Sequence, residues 1–552
     1  MDLLRRARES LLVWLAAAAG SLLFLLLGPY SDYGPAGYLD PWIYTGYFTN
    51  FSYLVRHIGP TYYVSRLPWI LPGIAAFHLL PPEAASVLLN LLIVTAAAGS
   101  LYWAVRWHYG PPAGFLAAVL LATNPYFLST VCWDYPDGPA IAYAFAALAF
   151  AVRPRGAPRR NSALTGVFLA LSGLTNMAAG PMILAVAGVA LYRRRSWRDS
   201  FALCAGAAAA VAALCPVSQL LFGRWTYFYW QVYQTIATFG NHGFLSAMWG
   251  SGPGFLLIAY RLFAPVFLLV LAPLCAARAG AGRTNPVLRP AYLALLLCLA
   301  LYAFQEFVLH GVALRVHYTS SYLLVPAFFV AGALAGECAL SRGQAAAIAA
   351  FATLLPFLHR ELARISSPWT ALLLTGAAAA AALLLPRLAP AGCALMAVAL
   401  FLSPALDSST GYAWDQSFPV NGRNADVFRH LMTLEARLKA SIDPARRARF
   451  WFDRDEPLAP FYDSAESLYL WMHADFTAGL ASWPDGELRR QLPLNATLVH
   501  LTLHPERLAE RNRLLASRGI RAANQRSWSM PYRGYTLQVI LEDVAYPTPS
   551  AP

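Results

Sequence analysis

The chain has 552 residues, of which 58% are hydrophobic and 12% are charged, and its mean hydropathy is +0.47. A soluble protein rarely has this composition, and repeated apolar runs of about 17–25 residues are long enough to cross a bilayer. The whole net charge of +13 lies before residue 405, because 405–552 holds 17 basic and 17 acidic residues. Arginines at cytoplasmic helix ends explain this surplus better than a face that binds nucleic acid.

Residues 1–404 are predicted to form a polytopic α-helical membrane domain with 13 transmembrane helices. The predicted spans are 10–28, 84–104, 112–129, 138–152, 163–178, 180–192, 199–222, 253–277, 290–310, 321–339, 344–359, 369–386 and 388–404. With a cytoplasmic N-terminus, the inner loops hold 17 arginines and the outer loops six, as the positive-inside rule requires. This pattern predicts a multi-pass protein of the cytoplasmic (inner) membrane, and the odd number of helices places its C-terminal segment outside the cytoplasm.

Residues 405–552 are predicted to form a separate extracytoplasmic α/β domain. The stretch "NADVFRHLMTLEARLKASI" has an Asn cap and helical apolar spacing, and "PERLAERNRLLASRG" begins with Pro and ends with Gly, as helices do. The stretches "RARFWFD", "ATLVHLTL" and "YTLQVIL" have the composition of strands. This alternation is typical of a small α/β fold.

Acidic residues of the membrane domain concentrate in the first two predicted outer segments, 29–83 and 130–137. Asp40 lies in the first, and Asp134 and Asp137 lie in the second within "VCWDYPDGPA". Placing a carboxylate near lipid costs on the order of 3 kcal/mol, so such a residue is expected to be either hydrated or functional. Singly, each acid is explained by a solvated loop. Together they favour a general base, with a second acid that holds a metal ion or a substrate hydroxyl.

Basic residues are predicted on the same membrane face. Arg66 lies in "YVSRLPWILPG", and Arg315 and His317 lie in "LRVHYTSSYLLVP". A guanidinium there suits a lipid-linked phosphate, which it grips with two parallel hydrogen bonds. The alternatives are an arginine that extends to the headgroups and a structural histidine. Glu306 is an acid inside a predicted span, either functional or paired with Arg261.

Several motifs in this order resemble the GT-C superfamily of polytopic glycosyltransferases. Within it they resemble the family 39-like group of dolichyl-phosphate-mannose protein mannosyltransferases and lipid A aminoarabinose transferases. The motifs are "YLDPWIYTGY", "SRLPW", "GPPAGFLAAVLLATNPYFL", "YPDGPAIAYAF" and "LALSGLTNMAAGPMILAVAGVALYRRR". In the last one Asn176 stands where the family usually has Lys.

The resemblance implies an enzyme that transfers a sugar from a polyprenyl-phosphate donor to a glycan, lipid or protein acceptor outside the cytoplasm. It implies Asp40 as the catalytic base, with Asp137 and Asp134 as further catalytic acids. Arg66, with Arg315 as a second candidate, would contact the lipid phosphate. Asp137 and Asp134 would orient groups, or Asp137 would hold a divalent ion, Mg or Mn. Its partners would be the lipid-linked donor, the acceptor and membrane lipids, and no nucleic acid.

Three alternatives to this hypothesis remain open from the sequence. One is a glycan polymerase or ligase that uses the same lipid donors. Another is a transporter, which calls for matched halves with broken helices and acids at mid-membrane. The third is a non-catalytic membrane scaffold.

The predicted orientation has a direct test. A reporter that works only outside the cytoplasm should be active when it is fused after residue 404, because the arginine distribution places that end outside. Phosphatase and fluorescent-protein fusions at this position measure it, with fusions after residue 109 as the cytoplasmic control. Activity of the fluorescent reporter alone after residue 404 would contradict the orientation.

Overall fold

In the residues that the computed structural model describes, the part before residue 338 is mostly helical and the part near the C-terminus contains a sheet. The structure describes residues 39–57, 61–131, 135–154, 156–194, 196–240, 287–309, 313–314, 317–337, 341–343, 430, 433–434, 436–443, 446–452, 496–532 and 534–545. The predicted spans 10–28, 253–277, 344–359, 369–386 and 388–404 lie outside these described residues.

Thirteen α-helices are described before residue 338. They are α1 Leu39–His57, α2 Leu67–Leu79, α3 Pro82–Tyr109, α4 Pro111–Ala122, α5 Pro125–Val131, α6 Asp137–Val152, α7 Pro158–Thr175, α8 Gly180–Arg194, α9 Trp197–Phe222, α10 Tyr229–Gly240, α11 Leu288–Phe307, α12 His317–Ser320 and α13 Leu324–Glu337. Proline is the first residue of α3, α4, α5 and α7, where its missing N–H costs no helical hydrogen bond. Gly110, with φ of +85°, ends α3 and permits the tight turn into α4.

Three described helices are long and apolar enough to cross a membrane: Ala84–Tyr109, Trp197–Phe222 and Leu288–Phe307. The predicted span 112–129 is instead two helices, α4 and α5. Pro125 lacks the N–H that a continuous helix needs, and Asn124 Oδ1 accepts the backbone N–H of Phe127 at 2.9 Å to cap the new helix. The predicted outer segment 29–83 contains α1 and α2, whose Tyr47 and Trp69 are buried.

The described helices share one apolar core. Helix α3 packs against α4 and α6, α6 packs against α7, and α11 packs against α8 and α13. Helices α7 and α9 approach most closely, through two glycines. A Cβ at Gly206 would overlap the carbonyl oxygen of Ala163, and one at Gly166 would overlap that of Leu203. Small residues at such crossings allow backbones to meet.

The C-terminal part forms a four-stranded sheet. Its elements are β1 Arg447–Phe452, β2 Ala496–Thr502, α14 Leu508–Ser517, β3 Arg521–Tyr532 and β4 Tyr535–Ala545. The strand order is β1-β2-β4-β3, with β1 and β2 parallel and the other pairs antiparallel. The three predicted strands are present, and β3 was not predicted. As an edge strand with mostly exposed side chains, it lacks the apolar alternation that indicates a strand.

The glycine crossing of α7 and α9 should be sensitive to a single methyl group. Gly206→Ala should lower the free energy of unfolding by about 1–3 kcal/mol, the usual cost of overpacking. The measurement is the unfolding temperature of the purified protein in detergent. Gly188→Ala is the control, because a Cβ there meets open space. Equal unfolding temperatures for the two variants would argue against the close contact.

Candidate active site around Asp137

Asp137 is fully buried, so it is not the solvated loop acid that the sequence allowed. It is the first residue of α6, directly after Pro136. Its Oδ1 accepts a hydrogen bond from Asn176 Nδ2 at 2.8 Å and another from the hydroxyl of Tyr322 at 2.6 Å. Two neutral donors on one oxygen stabilise the ionised carboxylate without a formal counter-charge on that side.

Asn176 reaches Asp137 because the chain leaves the helix at that residue. Helix α7 ends at Thr175, Asn176 is extended, and a single 3-10 turn covers Met177–Ala179 before α8 begins. The carbonyl oxygen of the Asn176 side chain accepts the backbone N–H of Ala178 at 3.1 Å. The carboxamide is therefore held at both ends, by the turn that follows it and by Asp137.

Arg66 lies within electrostatic range of this carboxylate, in the turn before α2, and it is 8% exposed. Its guanidinium donates to the hydroxyl of Tyr44 and lies 5.7 Å from the centre of the Tyr44 ring and 5.1 Å from that of Tyr62. The hydroxyl of Tyr143, on α6, donates to the carbonyl oxygen of Pro68 at 3.1 Å. This bond joins the helix that carries Asp137 to the segment that carries Arg66.

The charges of the two residues interact. Burial by itself lowers the pKa of Arg66, but the oxygens of Tyr44, Tyr62, Tyr135 and Asp137 raise it above its ordinary value. The guanidinium therefore stays protonated. Within the part of the chain that the structure describes, Nε of Arg66 and Oδ2 of Asp137 are buried without a hydrogen-bond partner. Such atoms are costly, so this donor and this acceptor mark where a polar ligand would be stabilised.

Aromatic rings line the site. Tyr44 makes edge contacts with Tyr63 at 5.6 Å and with Tyr135 at 5.7 Å between ring centres. The ring centres of Tyr62 and Tyr63 lie 4.0 Å apart. Aromatic faces with hydroxyl groups at their edges offer both apolar stacking and hydrogen bonds to a ligand such as a sugar ring.

The structure describes the other predicted site residues only in part. Asp40 is the second residue of α1 and His317 is the first residue of α12, and their side chains lie outside what is described. Asp134 and Arg315 also lie outside the described residues. The structure therefore places Arg66 and Asp137 within electrostatic range of each other, and the roles of all six residues stay predictions.

A divalent metal ion can be tested against the described side chains. Among them, no three His, Cys, Asp or Glu residues gather in one place. Asp137 offers one ligand atom, Oδ2, because two donors already occupy Oδ1. One oxygen among the described side chains does not by itself hold a divalent ion, so the metal ion predicted at Asp137 stays a prediction.

Sequence reasoning did not identify three residues of this site. Asn176 was noted only where it departs from a family motif. Tyr44 stands in the quoted motif "YLDPWIYTGY", where its hydroxyl has no distinguishing signal among many aromatics. Tyr322 reaches Asp137 from 185 positions away. Periodicity carries no information about such a distant contact.

The carboxamide of Asn176 should contribute to stability through its two hydrogen bonds. Asn176→Leu keeps the volume and leaves buried polar groups unpaired, so we expect a loss of about 1–3 kcal/mol in the free energy of unfolding. Thermal unfolding of the purified protein measures it, with Met177→Leu as the neighbouring control. A variant as stable as the wild-type protein would show that the Asn176–Asp137 bond contributes nothing.

Three solved structures are similar to this chain at low sequence identity. ArnT from Cupriavidus metallidurans bound to undecaprenyl phosphate is 15% identical, with 98% of this chain and 97% of that chain covered and a TM-score of 0.47. The oligosaccharyltransferase of Archaeoglobus fulgidus in complex with Zn and sulfate is 14% identical, with 95% and 72% covered and a TM-score of 0.41. The arabinofuranosyltransferase AftD from Mycobacteria is 16% identical, with 96% and 40% covered and a TM-score of 0.48.

No curated protein sequence matches the chain. A family model described as dolichyl-phosphate-mannose-protein mannosyltransferase matches residues 67–219. The matched segment begins one residue after Arg66 and includes Asp137 and Asn176. This match confirms the resemblance that the motifs indicated: residues 67–219 carry the sequence pattern of the dolichyl-phosphate-mannose-protein mannosyltransferase family.

Proposed function

We propose that the chain is an integral-membrane glycosyltransferase that moves a sugar from a polyprenyl-phosphate donor to an acceptor on the extracytoplasmic side, with inversion at the anomeric carbon. The observation that carries this proposal is the buried pair of Arg66 and Asp137, each with one polar atom left without a partner. A guanidinium suits a phosphate, and a carboxylate oxygen suits a sugar hydroxyl. A site with both groups suits a sugar phosphate.

In the proposed reaction Asp40 is the general base. It takes the proton of the acceptor hydroxyl as that oxygen forms a bond to the anomeric carbon. The bond from this carbon to the phosphate oxygen breaks, and its electron pair leaves with the polyprenyl phosphate. Attack from the face opposite the phosphate inverts the configuration, and the proton remains on Asp40.

Arg66 would stabilise the negative charge that grows on the departing phosphate. Its guanidinium is buried and fixed by Tyr44, so little reorganisation is needed as the charge develops. Arg315 and His317 are the second candidates for this contact. Asp137 would orient the donor sugar by accepting a hydroxyl at Oδ2, and Asp134 would assist it.

The two predicted domains would divide the work. Residues 1–404 would hold the donor lipid and the reaction centre, and residues 405–552 would bind the acceptor or cover the site. The N-terminus would be cytoplasmic and the C-terminal domain extracytoplasmic. A glycan, lipid or protein acceptor is compatible with this arrangement.

A transfer assay tests the function directly. Purified protein should release polyprenyl phosphate from at least one member of a panel of polyprenyl-phosphate sugars, and Asp40→Asn should reduce kcat by about 10²–10⁴-fold because the base is lost. Asp199→Asn, at the predicted cytoplasmic end of α9, is the matched control. Transfer by Asp40→Asn at the wild-type rate would refute the assignment of the base.

Phosphate binding by Arg66 has its own test. Arg66→Gln should weaken binding of undecaprenyl phosphate about 10- to 100-fold, the effect of removing a charge-assisted hydrogen bond worth about 1.5–3 kcal/mol. Affinity can be measured by native mass spectrometry or fluorescence in nanodiscs. Arg159→Gln, an exposed arginine of α7, is the control. Equal affinities for both variants would exclude Arg66 as the phosphate contact.

A further inference from the structure

Helix α11 carries two buried polar side chains that the proposed reaction does not use. Tyr302 is 0% exposed and Glu306 is 2% exposed. They are four residues apart, so they lie on the same face of the helix, one turn from each other. A buried carboxylate is costly without a function, and the predicted partner Arg261 lies outside the described residues.

Tyr302 contacts the turn that presents Asn176. Its hydroxyl donates to the carbonyl oxygen of Ala178 at 2.8 Å. The backbone N–H of Ala178 donates to the side-chain oxygen of Asn176, and the side-chain NH2 of Asn176 donates to Asp137. Tyr302 thus holds the backbone on which the first donor to Asp137 depends.

Glu306 contacts the segment that leads to Tyr322. Its Oε2 accepts the backbone N–H of Leu314 at 2.8 Å, and Leu314 is buried. Eight residues later, Tyr322 makes the second hydrogen bond to Asp137. The carboxylate therefore holds Leu314, which lies between the end of α11 and Tyr322 in the chain.

We propose that Tyr302 and Glu306 are positioning residues, which from one face of α11 fix the two hydrogen-bond donors that orient Asp137. Tyr302 acts through Asn176, and Glu306 acts through Tyr322. The geometry stands on its own, and its consequence for catalysis rests on the proposed glycosyltransferase function. Holding Oδ1 from both sides directs Oδ2 of Asp137 toward the substrate.

The kinetic test compares two substitutions at Glu306 in the full-length protein. Glu306→Gln keeps an oxygen that accepts the N–H of Leu314, whereas Glu306→Leu does not. With the donor that the wild-type protein uses, Glu306→Leu should lower kcat by about 10- to 100-fold, a typical effect of misplaced groups, with a smaller change in KM. Glu306→Gln should restore most of the rate, and Tyr292→Phe, on the same helix, is the control. Equal losses for the Gln and Leu variants would overturn the proposal.

Double variants test whether the residues act through the partners named here. The double variant Glu306→Leu/Tyr322→Phe should have a kcat no lower than that of the slower of its two single variants. The double variant Tyr302→Phe/Asn176→Leu should likewise have a kcat no lower than that of its slower single variant. If the two residues of a pair acted independently, the fold-losses in kcat of the single variants would multiply in the double variant, and this result would overturn the proposal.

Unfolding temperatures of the same variants provide a measurement that does not depend on activity. Tyr322→Phe should lower the unfolding temperature of the wild-type protein and have a smaller effect in the Glu306→Leu background. The same decrease in both backgrounds would overturn the positioning role. If the wild-type protein transfers no sugar, the proposed function fails, and this cycle still decides whether α11 organises Asp137.

Discussion

The burial of one carboxylate constrains the rest of the described membrane part. A charge among apolar helices costs several kcal/mol unless hydrogen bonds or an opposite charge compensate it. Asp137 is compensated by Asn176, by Tyr322 and by the nearby positive charge of Arg66. These partners come from three separate segments, so the helices that carry them must pack in one arrangement for the carboxylate to be stable.

The helix interruptions occur where this compensation is needed. Asp137 begins α6, Asn176 stands in the break between α7 and α8, and Arg66 precedes α2. An unbroken helix satisfies its own backbone and points its side chains outward, whereas a break frees polar groups to turn toward a common centre. Irregular backbone is tolerated within a membrane protein only where protein or a polar cavity surrounds it. The helix breaks therefore occur where polar groups join the buried hydrogen-bond network around Asp137.

The arrangement also gives the site an electrostatic asymmetry. Asp137 is held by neutral donors, while the guanidinium of Arg66 is surrounded by tyrosine rings and hydroxyls. Neither charge is cancelled by a direct ion pair that the structure describes. Both are therefore compatible with the sugar-phosphate donor that we propose, which carries an anionic group beside hydroxyl groups.

The sequence by itself determined the membrane class, the position of most described helices and the resemblance in residues 67–219. The length of an apolar run and the position of a proline are local properties of the sequence, so they can be read without knowing the fold. It also singled out Arg66 and Asp137, because charge is rare in an apolar chain. Only the tertiary structure decided that Asp137 is buried and that Asn176 and Tyr322 hold it. Those contacts join residues 39 and 185 positions apart, and a distance of that kind is set by helix packing, on which local pattern has no bearing.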